Sequence, residues 1–106
     1  MDISNIYIHD GRLLGVIEDA EAATITMECE LPAGEWSADS VPRLLVFEDV
    51  SNYRVCEGAI VGCPTLLDMG IVGERDGRTS LRLDTTAGYR ELDCRAVRIV
   101  DHDHHT

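Results

Sequence analysis

With 106 residues the chain has room for one domain with one core, and its 44% apolar content is enough to fold it without disulfides or metals. A formal net charge of −11, from twenty acids against nine arginines and no lysine, repels phosphate backbones and anionic lipid, which disfavours nucleic acid and membrane surfaces as partners. No run approaches the ~20 continuous apolar residues of a membrane-spanning helix.

The opening Met1–Asn5 lacks the basic residues and apolar stretch of a secretory signal, so cytosolic residence is the expectation. Ile6–His9 reads as a first short strand ending at the turn dipeptide Asp10-Gly11. Leu13–Ile17 reads as a second. The polar stretch Glu18–Ala23 is compact enough for a hairpin loop. Thr24–Leu31 carries the clearest signal in the chain. Ile25, Met27, Cys29 and Leu31 alternate with Thr24, Thr26, Glu28 and Glu30, the period of a half-buried strand. These three segments form a predicted meander.

Residues Pro32–Pro42 read as a loop, rich in small and polar residues. Arg43–Glu48 is nearly all apolar, as expected of a mid-sheet strand buried on both faces. A turn at Asp49–Ser51 leads to a strand at Asn52–Cys56. Gly62, Pro64 and Gly70 break the next apolar segment, leaving a loop and then a strand over Leu66–Val72. Asp76-Gly77 centres a hairpin turn, and Leu81–Asp84 is a strand with its leucines inward. In the last strand, Arg90–Val100, the apolar phase changes: Leu92 and Cys94 point one way, then Val97 and Ile99. A β-bulge near Arg95-Ala96 would absorb the extra residue. Seven or eight short strands without a helix predict an all-β domain over residues 1–100, an antiparallel β-sandwich in preference to a small β-barrel. Residues 101–106 read as a flexible Asp/His-rich tail. Only five aromatics are present, so the core should be aliphatic.

The four cysteines, Cys29, Cys56, Cys63 and Cys94, form no C-x-x-C pair, so zinc and redox spacings are missing. Four reduced, structural thiols are expected, with a Cys56–Cys63 bridge as the alternative. The tail histidines His102, His104 and His105 suit a transition metal chemically, but a terminal tract makes a weak and unselective site. No metal or cofactor is expected. Adjacent strand residues point to opposite faces, which argues against His9 and Asp10 acting as a base and its orienting group. No motif for a nucleophile elbow, phosphate loop or zinc protease occurs.

Charge is uneven along the chain. Nine acids against Arg12 give −8 up to Pro42, and eleven acids against eight arginines give −3 thereafter. Glu28 and Glu30 on the outward row of the best strand, with Glu18, Asp19 and Glu21 beside them, form a candidate docking face for a basic protein partner. Trp36 is a candidate interface anchor in the following loop.

The run His9-Asp10-Gly11-Arg12-Leu13-Leu14, the Thr24–Leu31 strand and Leu83–Leu92 together resemble a group of small bacterial all-β domains. The chain also resembles acidic immunity proteins of polymorphic toxin systems, which block a toxin by binding it. The resemblance implies a non-enzymatic binding domain and brings no catalytic residues. The competing expectations are a metal-dependent or hydrolytic enzyme using His9 and nearby carboxylates, and a structural subunit of a larger assembly.

Overall fold

The alternation of Thr24–Leu31 is realised as a strand in the computed structural model, which describes residues 1–34 and 38–101. Along the chain run β1 (Arg12–Asp19), β2 (Thr24–Pro32), β3 (Ser40–Glu48), β4 (Ser51–Glu57), β5 (Leu66–Arg75), β6 (Arg78–Thr85), β7 (Gly88–Cys94) and β8 (Ala96–Asp101). They form two antiparallel four-stranded sheets, ordered β1-β2-β3-β8 and β4-β7-β6-β5. The sheets pack as a sandwich and do not close into a barrel. No helix occurs among the described residues.

Period-two patterning fills the space between the sheets. Ile25, Met27, Cys29 and Leu31 of β2 meet Leu45 and Phe47 of β3 on one inner face, and Leu81, Leu83, Leu92 and Cys94 line the other. All are fully buried, and each such side chain contributes about 2 kcal/mol relative to exposure. The core is aliphatic apart from Phe47. β3 lies mid-sheet, and its outward Val46 is also buried, so the continuous apolar run is used on both faces. All four cysteines are free: Cys29 and Cys94 in the core, Cys56 and Cys63 exposed.

Three expectations need correction. Residues 6–9 form no strand. Instead Ile8 is buried in the core and Ile3 and Ile6 pack against it. The segment is held by Asp10 N–H to Leu66 O (2.8 Å) and Leu66 N–H to Gly11 O (2.7 Å). Gly11 allows the close approach, because a Cβ there would stand 2.8 Å from the Glu30 carbonyl oxygen. The Pro32–Pro42 loop is also shorter than its composition suggests. Ser40, Val41 and Pro42 already pair with Pro32, Leu31 and Glu30. Finally, the phase change near Arg95 is no bulge within one sheet: β7 belongs to one sheet and β8 to the other, and Arg95 is the residue between them.

The β3-to-β4 connection changes sheet at the same corner, and Asp49 pins it. Asp49 takes a left-handed backbone (φ 53°), which a short polar residue tolerates. Its carboxylate accepts from Arg78 Nη2 (2.9 Å) and from Arg95 Nε, and its carbonyl accepts from Arg78 Nε at 3.0 Å. The tip of the β1–β2 hairpin rests on this corner, with Val50 N–H donating to Ala23 O at 2.8 Å.

One ion pair lies on the inward side of the second sheet. Arg90 Nη2 and Nε reach Glu57 at 2.6 and 3.0 Å, with side chains 15% and 10% exposed. Tyr53 Oη lies 3.1 Å from Arg90 Nη1, and Thr85 Oγ1 donates to Glu57 at 3.0 Å. The Arg90 guanidinium holds the Glu57 carboxyl below its ordinary range. Asp93 is buried from the other side and accepts from Asn52 Nδ2 (2.8 Å) and Ser80 Oγ (2.6 Å), which likewise hold its carboxyl low.

These contacts make stability depend on pH. The unfolded chain binds protons at Glu57 and Asp93 more readily than the folded one, so their stabilisation is complete at neutral pH. It is lost as pH falls through the ordinary carboxylate range toward the depressed folded values. Urea melts between pH 7 and 3 should show this loss, and Glu57→Gln and Asp93→Asn should flatten it. At neutral pH, Glu57→Gln strands the guanidinium and should cost about 3 kcal/mol, whereas Glu57→Leu with Arg90→Met should cost less. Gly88 has φ 147°, and a Cβ there would overlap the Cys56 carbonyl oxygen on β4. Gly88→Ala should therefore destabilise by about 3 kcal/mol, read as a lower urea midpoint.

Candidate functional site

In the β1–β2 hairpin, five carboxylates stand against a single arginine between Arg12 and Pro32. The register distributes them. Glu28 lies between Gly15 of β1 and Leu44 of β3, and Glu30 between Arg12 and Pro42, both on the outer face. Asp19 opposes Thr24 in the same phase, while Glu18 opposes Ile25 in the inward phase and is exposed at the strand end. Glu18 and Asp19 are thus strand residues, and the loop proper is Ala20–Ala23 with Glu21 exposed in it. Asp19 Oδ1 accepts from Ala22 N–H at 3.0 Å, which closes the turn. Glu30 is engaged by Arg12 at 2.9 Å. Glu18, Glu21 and Glu28 make no ion pair among the described residues. Trp36 falls outside the described residues, as do the tail histidines.

Sequence reasoning missed the apolar part of this surface. Leu14 is the extra residue of a bulge in β1, where the register steps from Leu13 to Gly15, and it is 43% exposed. Ile17, on the outer face opposite Thr26, is 55% exposed. Alternation already parts Leu13 from Leu14, and the bulge reverses the phase beyond them, turning Val16 inward and Ile17 outward. An exposed Ile here stands beside carboxylates that no arginine neutralises among the described residues.

The outer face of the second sheet shows the contrast. There Arg54 pairs with Glu91 (3.1 Å) and Arg82 with Asp84 (2.9 Å), and the Arg82 guanidinium also sits 3.9 Å over the Tyr89 ring. At the corner and along β8, Asp49, Glu48 and Asp101 are engaged by Arg78 with Arg95, by Arg98, and by Arg43. Most described acids of the corner, of β8 and of the second sheet's outer face are paired in this way, whereas Asp68, Glu74 and Asp76 of the β5–β6 hairpin, like most acids of the β1–β2 hairpin, are not. Electrostatic potential therefore builds where pairing fails.

His9 and Asp10 stand differently from expectation. With no strand there, the alternation rule does not separate them, and His9 Nε2 lies 3.5 Å from Asp10 Oδ2. His9 Nδ1 donates to the Leu67 carbonyl at 2.8 Å, and this bond, with the Asp10 charge, raises the imidazole pKa. Both side chains are exposed, and no hydroxyl or thiol is bonded to either among the described residues. Two open clefts flank the N-terminal segment. One, of about 570 Å³, lies over Ile6, Arg43 and Asp101; the other, of about 830 Å³, lies over Tyr7, His9 and Asp68. No group of three or more His, Cys, Asp or Glu side chains among the described residues is arranged to hold a metal ion.

In comparison with known proteins, no family model, no curated protein and no solved structure matches the chain.

Proposed function

We propose that this chain is a non-enzymatic binding domain that docks a basic protein partner on its β1–β2 hairpin, as an immunity-like inhibitor of a basic toxin would. One observation carries the reading: exposed Leu14 and Ile17 sit among Glu18, Glu21 and Glu28, which have no ion-pair partner among the described residues. Apolar side chains supply contact area that water would otherwise cover, and surrounding carboxylates steer a cationic surface to it. The hairpin is also a firm platform, closed by Asp19 at its turn and resting on the Asp49 corner through Ala23. The pattern resemblance to acidic immunity domains points the same way. Basic partners are favoured over nucleic acid because phosphate would meet the same carboxylates as repulsion.

The test uses residues outside the internal ion pairs. Capture of a basic partner by immobilised chain should weaken about tenfold, or ~1.4 kcal/mol, in Glu21→Lys with Glu28→Lys. It should also lose part of its salt dependence. Asp2→Lys with Glu74→Lys changes net charge equally and should leave capture intact. Equal loss in both variants would reduce the effect to net charge and remove the hairpin from the reading.

A further inference from the structure

The geometry points to a second copy of this chain as the occupant of the open β5 edge, paired antiparallel about a two-fold axis at Ile71-Val72. β5 is the outer strand of its sheet. Its start is covered, since Leu66 bonds to Asp10 and Gly11 and the Leu67 carbonyl to His9. From Asp68 to Arg75 the edge has no neighbouring strand among the described residues. Ile71 and Val72 are 47% and 55% exposed there.

Three observations select a second copy over other occupants. The first is charge. Eight of the nine arginines pair with a carboxylate, and among the described residues Arg75 alone has no ion-pair partner. In the register that sets Ile71 opposite Val72 of the second copy, Arg75 falls opposite Asp68, twice by symmetry. Among the described residues Asp68 has no ion pair of its own, and its Oδ1 accepts the neighbouring Met69 N–H at 2.9 Å.

The second is the pair of glycines. Gly70 and Gly73 have no positive φ, and a Cβ on either would meet nothing within 4 Å. Strand glycines weaken a sheet and mark places where another backbone approaches closely. β6 pairs with them on one side, nothing among the described residues fills the space a Cβ would take, and in the same register each faces the other across the axis. The third is the bulge at Val72, where the register steps from Ile71 to Gly73. A two-fold axis between two adjacent residues of a regular strand would oppose backbone groups of unlike direction. The extra residue supplies the missing phase shift, so Met69 and Glu74 turn their backbone groups to the same side.

One strand pair covers less than a standard stable interface, so association should depend on protein concentration. Each copy carries a formal charge of −11, and added salt should strengthen the dimer by screening that repulsion. This is the opposite sign from capture of a basic partner on the hairpin, so the two surfaces can be told apart.

Sedimentation velocity over rising concentration, at low and high salt, should show a monomer–dimer equilibrium. Val72→Lys should abolish it, and Asp68→Arg should weaken it at least tenfold by facing Arg75 with a like charge. Asp68→Arg combined with Arg75→Asp should restore the dimer, which a misfolded variant could not do. A monomer under every condition, a dimer indifferent to these substitutions, or assembly beyond the dimer would each overturn the pairing.

Discussion

Where the sandwich's two sheets are joined, one carboxylate, that of Asp49, gathers the connections. Two strands leave one sheet for the other at the same corner: β3 passes to β4 through Asp49, and β7 to β8 through Arg95. A chain that changes sheets loses its ladder bonds at the crossing, and those groups need other partners. Arg95 N–H reaches the Glu48 carbonyl at 3.0 Å, while Arg95 and Arg78 side chains converge on Asp49. Both arginines hold the Asp49 carboxyl below its ordinary range. Because β3 pairs with β8 and β4 with β7, one corner fixes two strand pairs in each other's reach. The hairpin tip and the start of β6 lean on the same place.

The sequence showed much of this wherever a period was long enough to read. Eight alternating positions at Thr24–Leu31 and the Asp76-Gly77 turn settle their elements locally, since side-chain direction and turn backbone are short-range properties. The phase change around Arg95 was legible, but its cause was not. A bulge and a sheet crossing both insert one residue, and only the distant partners of β7 and β8 distinguish them. Ile6–His9 failed for the converse reason. Its apolar residues are buried as expected, yet they pack over the core without joining a ladder, and burial alone does not make a strand. At the candidate site, the acids were visible, but Ile17 was not. Its exposure follows from a bulge and an edge position that no local pattern announces. Arg90 was hidden as well, because an arginine in an inward phase contradicts the rule that reads charge as outside.

Surface chemistry here is governed by which charges find partners. The arginines are spent largely on internal bookkeeping of the later chain, at the corner, along β8 and across β4-β7-β6. The hairpin holds more acid than Arg12 can balance, and β5 ends on an arginine that no carboxylate pairs with among the described residues. Two surfaces of different character result. One is a net field with an apolar centre, which on the proposed reading receives a cationic protein. The other is an edge where attraction requires a definite register, because each charge is single and the backbone must align as well. A field tolerates many orientations of approach; a register tolerates one.

The burial of Cys29 and Cys94 gives the fold its own record of opening. They belong to different sheets, β2 and β7, and their thiols are pushed up to about 12 and about 11 by the loss of water around them. Almost no thiolate exists at either position at neutral pH while the sheets are together, whereas Cys56 and Cys63 stand exposed to an alkylating reagent. Adducts beyond the second therefore count separations of the two layers. The order in which the buried pair is labelled tells which inner face water reaches first.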